Sequence, residues 1–319
     1  MRAIMVVNPN ATTTSPRVTD VIVRALSHDF ELEVTMTNHR GHAFSLGEYA
    51  KNEAIPIAFT LGGDGVINEF VNGLLHDGPS ETVLAPIPGG SGNVFARALG
   101  IPTDPVEATG AILESIRDRN YREINVGHIR AETALGEIID RYFLANAGLG
   151  FDAQIIEAMD KERDAGHVAS PRRYLLTTVR EYFTNTNRKS TALQIGRVGT
   201  EPIEHVFVAL VQNASPWTFF RSWALDPNPA ASFDTGLDVF IVRKLDLVST
   251  LLAAGKVVAR TRNKSAANAY TSWHDQREFW ANSLEPVPLQ ADGEGLGMIV
   301  GAQFSSRPRA LRTVDVLSK

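Results

Sequence analysis

Along the first third of the chain, short apolar runs alternate with stretches whose apolar residues recur at helical spacing. Ala3–Val7 reads as a strand, and Ser15 followed by Pro16 opens a helix through about Leu26. Leu32, Val34 and Met36 alternate as a second strand, and a helix is expected from His42 to Lys51. Ile55–Leu61 is a third strand followed by a helix at Val66–Leu75, and Thr82–Ile87 a fourth followed by helices at Val94–Leu99 and Val106–Arg117. Strand, helix, strand, helix implies a doubly wound α/β domain: a parallel sheet with helices on both faces.

After about residue 125 the pattern changes to short strands between turn residues: Ile138–Leu144, Ala192–Arg197, His205–Val211, Leu237–Val242, Phe279–Leu284 and Met298–Phe304. Helices interrupt them at Phe151–Arg163, Arg172–Thr184 and Leu245–Arg260. A β-rich second domain therefore follows the first, and 319 residues suit two domains better than one core.

Composition narrows the classes. Hydrophobic residues are 44% and charged residues 21%, which fits a globular chain and excludes a disordered one. A net charge of −5 gives no global attraction to nucleic acid. Arg172, Arg173 and Arg180, or Lys256, Arg260, Arg262 and Lys264, are candidate local basic patches, each also explained as a solvated helix face. Without cysteine there is neither a disulfide framework nor a thiolate metal site, so the cytoplasm is the expected compartment. The eight histidines show no metal-ligand spacing, although His39 and His42 lie in one loop. The apolar stretch at the N-terminus is too short for a signal-peptide core or a bilayer span, so any membrane contact is expected to be peripheral.

The candidate chemistry lies where strands hand over to helices, the edge at which open α/β sheets bind ligands. Gly62, Gly63 and Gly65 surround Asp64 after the third strand, and Pro88-Gly89-Gly90-Ser91-Gly92-Asn93 follows the fourth. Glycine admits positive φ and lacks a Cβ, so such turns let backbone N–H groups reach a phosphate at a helix N-terminus. Either turn alone is accounted for by a tight connection; two at one sheet edge point to an anion. Asp64 then serves a proton, a sugar or Mg²⁺, or caps the helix that follows. The loop Asn8–Arg17, with hydroxyls at Thr12, Thr13, Thr14 and Ser15, is a third candidate. Neither G-x-G-x-x-G after the first strand nor G-x-x-x-x-G-K-[ST] is present, which counts against dehydrogenases and Walker-type ATPases.

Taken together, Asn8-Pro9, "GGDGVINEFVNGL", "PGGSGNVFARALGIP", "NAGLGFDA", "FDTGLDVFIV" and "QADGE" resemble the diacylglycerol kinase catalytic-domain family, which includes bacterial lipid kinases and sphingosine and ceramide kinases. The GGDG element alone is shared with phosphofructokinases and NAD kinases; the second turn with "FARALG" and the late D-G-E separate them. The resemblance implies a nucleotide-binding domain over residues 1–125, rejoined by 306–319, a β-sandwich-like lipid domain over 126–305, and an active site in the cleft between them. It implies an ATP- and Mg²⁺-dependent lipid kinase acting on diacylglycerol or a related lipid alcohol at the inner membrane face, peripherally attached, with a homodimer among its expected states. Asn8, Thr12, Gly62, Gly63, Asp64, Gly65, Gly90, Ser91, Gly92 and Asn93 would hold nucleotide. Glu294 would be the general base, with Asp64 the other candidate. Asp234 and Asp238 match a turn that in some members holds a structural Mg²⁺, and an ordinary turn entering a strand explains them equally well. Trp217, Phe219, Phe220 and Trp223, beside Pro216 and Arg221, would line a lipid cleft, rest on a membrane or fill a core.

The sequence departs from the family at Val66, Val94 and Asn125, where many members have Thr, Asp and Asp. The last of these often reaches nucleotide-bound Mg²⁺ through water. A catalytically weak nucleotide- or lipid-binding member is therefore the second expectation, and a soluble NAD-kinase-like kinase the third.

Overall fold

The computed structural model describes residues 1–11, 15–151, 153–154, 191–220, 223–259 and 269–318. Thr12 to Thr14, both helices expected between Phe151 and Thr184, Arg221, and the cations Arg172, Arg173, Arg180, Arg260, Arg262 and Lys264 fall outside these, apart from the first residues of the earlier helix. The chain divides into two compact units, Met1–Val126 with Pro308–Lys319, and Gly127–Arg307.

In the first unit the elements run β1 (Arg2–Val7), α1 (Pro16–Asp29), β2 (Glu31–Met36), α2 (His42–Asn52), β3 (Ile57–Gly62), α3 (Asp64–Leu75), β4 (Val83–Pro88), α4 (Val94–Ala98) and α5 (Pro105–Arg117). Ser15 caps α1 by accepting from the Val18 N–H at 3.3 Å, and the helix buries Ile22 and Leu26. Asp104 caps α5 the same way, accepting from Val106 and Glu107. The strands pair in parallel in the order β2-β1-β3-β4, with Val7 opposite both Met36 and Leu61, and Gly62 opposite Pro88.

β3 and β4 are buried throughout, as central strands of a covered sheet must be. Two prolines in β4 are tolerated for a geometric reason. Val83 and Gly89 donate back toward β3, at 2.9 and 2.8 Å, so Pro86 and Pro88 belong to the alternate set that faces away from it. On that side the final strand pairs with β4 at Thr313 opposite Leu84, before either proline.

Helices α2 and α3 touch at backbone distance. A Cβ at Gly73 would lie 1.9 Å from the Phe44 carbonyl oxygen, and one at Gly47 would lie 2.1 Å from that of Phe70. Gly73→Ala is therefore expected to cost roughly 3 kcal/mol, read by denaturant unfolding, because backbone cannot yield as a side chain does. Gly110→Ala, in α5 with open space around it, should be neutral or stabilising by up to about 1 kcal/mol.

The second unit is antiparallel. Leaving the first unit at Val126, β5 (Tyr121–Thr133) is followed by β6 (Ile138–Phe143), β7 (Asn146–Gly150), β8 (Leu193–Gly196), β9 (Val208–Gln212), β10 (Thr218–Phe220), β11 (Trp223–Leu225), β12 (Leu237–Val242), α6 (Leu247–Ala259), β13 (Tyr270–Gln276), β14 (Glu278–Ala291) and β15 (Glu294–Val314). The order is β13-β12-β9-β7-β14-β15, with β8 added to β14 and β6 to β5. Its core contains Phe143, Val211, Val239, Trp273, Phe279 and Phe304, the rings of Phe279 and Phe304 stacked at 4.8 Å. β14 and β15 run well beyond the expected Phe279–Leu284 and Met298–Phe304, because a register shift between Asn282 and Val287 carries the pairing past Pro286 and on through Val287 and Pro288.

Candidate functional site

The two glycine turns meet in the first unit. Asn8 follows β1, and its N–H donates to the Leu61 carbonyl at 2.9 Å, which sets it beside Gly62. A Cβ at Gly90 would lie 2.6 Å from the Gly63 Cα, so the turns are in backbone contact. This revises the expected role of the glycines. Gly62, Gly63, Gly65, Gly90 and Gly92 all lie outside the positive-φ region, and the left-handed residue of the second turn is Asn93, at φ 49°. Glycine is required at Gly90 by close approach rather than by φ, whereas a Cβ at Gly63 would lie 3.4 Å from the Gly90 Cα, an ordinary contact. Asn93 braces its turn, accepting from the Gly90 N–H at 2.8 Å and donating to the Gly90 carbonyl at 2.6 Å. Gly65, by contrast, has no atom of the described residues, beyond its own helix backbone and chain neighbours, within 4 Å of its missing Cβ, which leaves that position open to a ligand among the described residues. On the second turn Ser91 and Gly92 are exposed.

α3 begins at Asp64, two residues earlier than the sequence pattern predicts. The Asp64 carboxylate does not cap its own helix: Oδ2 accepts from the Val94 N–H at 3.1 Å and Oδ1 from the Phe95 N–H at 3.0 Å, so it caps α4. Asn93 makes no side-chain cap of its own there. Glu69, farther along α3, does the same for α2, accepting from the Gly41 and Ala43 N–H groups. His39, in the loop before α2, stacks on His42, the first residue of that helix, at 5.1 Å.

Burial raises the Asp64 pKa, opposed by the Phe95 and Val94 N–H bonds. Its charge in turn supports Arg97, whose pKa burial draws down. Asp64→Ala should lower stability by about 1–2 kcal/mol through the lost cap, so the carboxylate is not dispensable for folding. Because the folded pKa is raised, the Asp64 contribution to stability is full below the ordinary carboxylate range and is lost as pH rises through the folded value. Unfolding of Asp64→Asn across that range should lack this part of the slope; an unchanged slope would remove Asp64 as its source.

In the second unit Asp292 and Gly293, at φ 48° and 79°, form the tight turn between β14 and β15. The Asp292 carboxylate is not an idle turn residue: it accepts from the N–H groups of Leu144, Ala145 and Asn146 at 2.7, 2.8 and 3.0 Å. Gln290 accepts from the Gly293 N–H at 3.0 Å and donates to Asn146. Glu294, just past the turn, pairs with Arg141 at 2.9 Å, with roughly a third of each side chain exposed. Asn146 and Gln290 open the motifs "NAGLGFDA" and "QADGE" but carried no role of their own there, and Arg141 escapes sequence reasoning because it sits inside a strand.

The remaining candidates are engaged separately. Asp238 is buried, accepting from His274 Nδ1 at 2.8 Å and the Asp275 N–H at 3.0 Å, and burial raises its pKa. Asp234 lies in an exposed turn and bonds Ser232. The two are not gathered into a set of three ligating side chains; among the described residues such a set occurs at Glu48, His76 and Asp77. Asn125 accepts from the Arg309 N–H at 2.9 Å, which fixes β5 to β15. Lys256, expected on a basic surface, is buried. A cavity of about 410 Å³ on the second unit, lined by Arg130, Glu132, Glu278 and Trp280 among others, contains none of the predicted site residues. Thr12 lies outside the described residues.

Residues 2–129 match the family model of the diacylglycerol kinase catalytic domain. Among curated proteins, the probable lipid kinase YegS-like of Chromohalobacter salexigens is 36% identical over 142 residues, 44% of this chain and 41% of that protein. The diacylglycerol kinase of Staphylococcus carnosus is 31% identical over 131 residues, 41% of this chain and 38% of that protein. The similarity thus spans about two fifths of the length of these relatives. A solved diacylglycerol kinase from Bacillus anthracis superposes with a TM-score of 0.71 at 18% identity, covering 98% of this chain and 96% of that one. Yeast NADH kinase superposes with 0.54 at 10% identity, covering 98% and 83%. At these identities the superpositions show the fold alone.

Proposed function

We propose that this chain, whose residues 2–129 match the family model of the diacylglycerol kinase catalytic domain, is an ATP-dependent lipid kinase acting on diacylglycerol or a related lipid alcohol. The observation that carries the reading is the backbone contact of Gly63 with Gly90 beside the open face at Gly65. Backbone donors held so close without intervening Cβ atoms form a cradle that fits a polyphosphate. Phosphoryl transfer asks mostly for positioning and charge stabilisation, which a rigid cradle supplies.

Asp64 is read here as a positioning residue. Both its oxygens hold α4, and through that helix the second turn. Asp64 is the carboxylate among the described residues of this turn, and a carboxylate oxygen is the donor type that suits Mg²⁺. Bound there, the ion would neutralise charge on the nucleotide phosphates. Glu294 is the proposed base: it accepts the proton as the lipid oxygen bonds to the γ-phosphorus and the bond to the ADP oxygen breaks. Arg141 orients that carboxylate.

Asn125 favours one variation on this reading. Its oxygen already holds the Arg309 N–H and brings no charge to a metal, which suits a member that binds nucleotide but transfers slowly. The test is incubation of the purified protein with γ-labelled ATP, Mg²⁺ and a panel of lipid alcohols in mixed micelles, with NAD as a soluble acceptor. Labelled phospholipid is expected. Label on NAD alone, or none with any acceptor, would overturn the lipid-kinase reading.

A further inference from the structure

Helix α6 is built inside out. Asp246 caps it, accepting from the Ser249 N–H at 3.0 Å, and so fixes where it starts. Its inward face carries Ser249, Ala253 and Lys256, all buried, with Val257 half-buried against the core. The outward face carries Val248, Leu251, Leu252 and Val258, which are 67%, 63%, 51% and 57% exposed. That spacing forms one apolar stripe along a helix. An ordinary surface helix turns such a stripe to the core and its lysine to water.

The reversal is held in place. Burial lowers the Lys256 pKa, and the charge of the wholly buried Asp226 opposes this. The Asp226 N–H donates to the Val257 carbonyl at 2.9 Å. Turning the leucines inward would carry Lys256 away from that carboxylate. Trp223, 70% exposed, lies on β11 beside the helix, and Arg243 and Lys244 are exposed just before it.

We propose that the outward face of α6, with Trp223, is the surface by which this chain lies on an anionic lipid bilayer, a role that rests on the lipid-kinase reading for its purpose. A helix of 13 residues is too short to span a bilayer and suits lying in its interface, leucine side down, where tryptophan is favoured. Arg243 and Lys244 at the rim complement anionic headgroups. A second copy of this chain is the other occupant such a face could take, and the test below separates the two.

The test is flotation of the full chain with vesicles of phosphatidylcholine containing phosphatidylglycerol, at low and high salt. Wild type should float at low salt and less at high salt. Leu251→Glu should weaken partition by about tenfold or more, Leu252→Ser by less, and both should keep the wild-type melting temperature. Met36→Ser, which removes an exposed apolar side chain from the first unit, should float as wild type does. Wild-type protein that stays with the aqueous phase at low salt, or variants that float equally, would overturn the proposal. So would a concentration-dependent dimer that Leu251→Glu dissociates, without vesicle binding. The readout needs no turnover. Vesicle binding through α6 without label transfer defeats the kinase reading alone, and label transfer in micelles by a chain indifferent to vesicles defeats the docking surface alone.

Discussion

Gly90→Ala is expected to abolish most of the stabilisation that ATP with Mg²⁺ confers, in a protein that still folds. The added methyl would meet the Gly63 Cα at 2.6 Å, the Asn93 Oδ1 at 3.2 Å and the Gly63 N at 3.3 Å. Two of these are backbone, so the turns must part, and the cap from Asp64 to α4 resists the movement. A displacement of about 1 Å at a positioning element can lower activity on the order of a hundredfold, and nucleotide affinity should fall with it. The shift in melting temperature with ATP, compared between variant and wild type, is the readout. Gly65→Ala makes a useful companion, because the protein leaves that position open. A loss of nucleotide response there reports contact with the ligand itself. If both variants respond to ATP as wild type does, the glycine turns do not hold phosphate.

Glu294→Gln is expected to lower turnover by about 10²- to 10⁴-fold, the usual contribution of a positioned general base. The fold should survive it. The turn is held by Asp292 on three backbone N–H groups, and glutamine can still accept from Arg141. The melting shift with ATP should stay unchanged, which separates a lost base from a lost nucleotide site. A glutamine variant that turns over at the wild-type rate would return the assignment to Asp64. Asp292→Asn, in contrast, should destabilise, because a neutral amide offers one acceptor oxygen to three donors.

What could be read from the sequence was periodic or punctuated. The α/β alternation up to Arg117 was legible because each strand is a short apolar run, each helix an amphipathic one, and Ser15 stands as a cap before Pro16, whereas the Asp104 cap before Pro105 went unread. The glycine turns were legible as candidates by their place after β3 and β4. Their reason was not. Contact between Gly63 and Gly90, and the bonds from Asp64 to residues thirty positions away, are tertiary facts that no local spacing encodes. β5 and β7 went unread for a different reason. A strand paired on both sides needs no alternation, and Asn146-Ala147-Gly148-Leu149-Gly150 looks like a loop until its pairing with β9 and β14 is seen. Lys256 shows the limit of charge counting, since it is buried within reach of the charge of Asp226, far away in sequence.

The central claim is that the two glycine turns form one cradle for a polyphosphate. Thermal unfolding with adenosine, ADP or ATP, each with Mg²⁺, tests it most directly, since a ligand that binds only the folded state raises the melting temperature. The cradle predicts a clear rise with ADP and ATP and little with adenosine. Equal shifts from all three, or none from any, would contradict it.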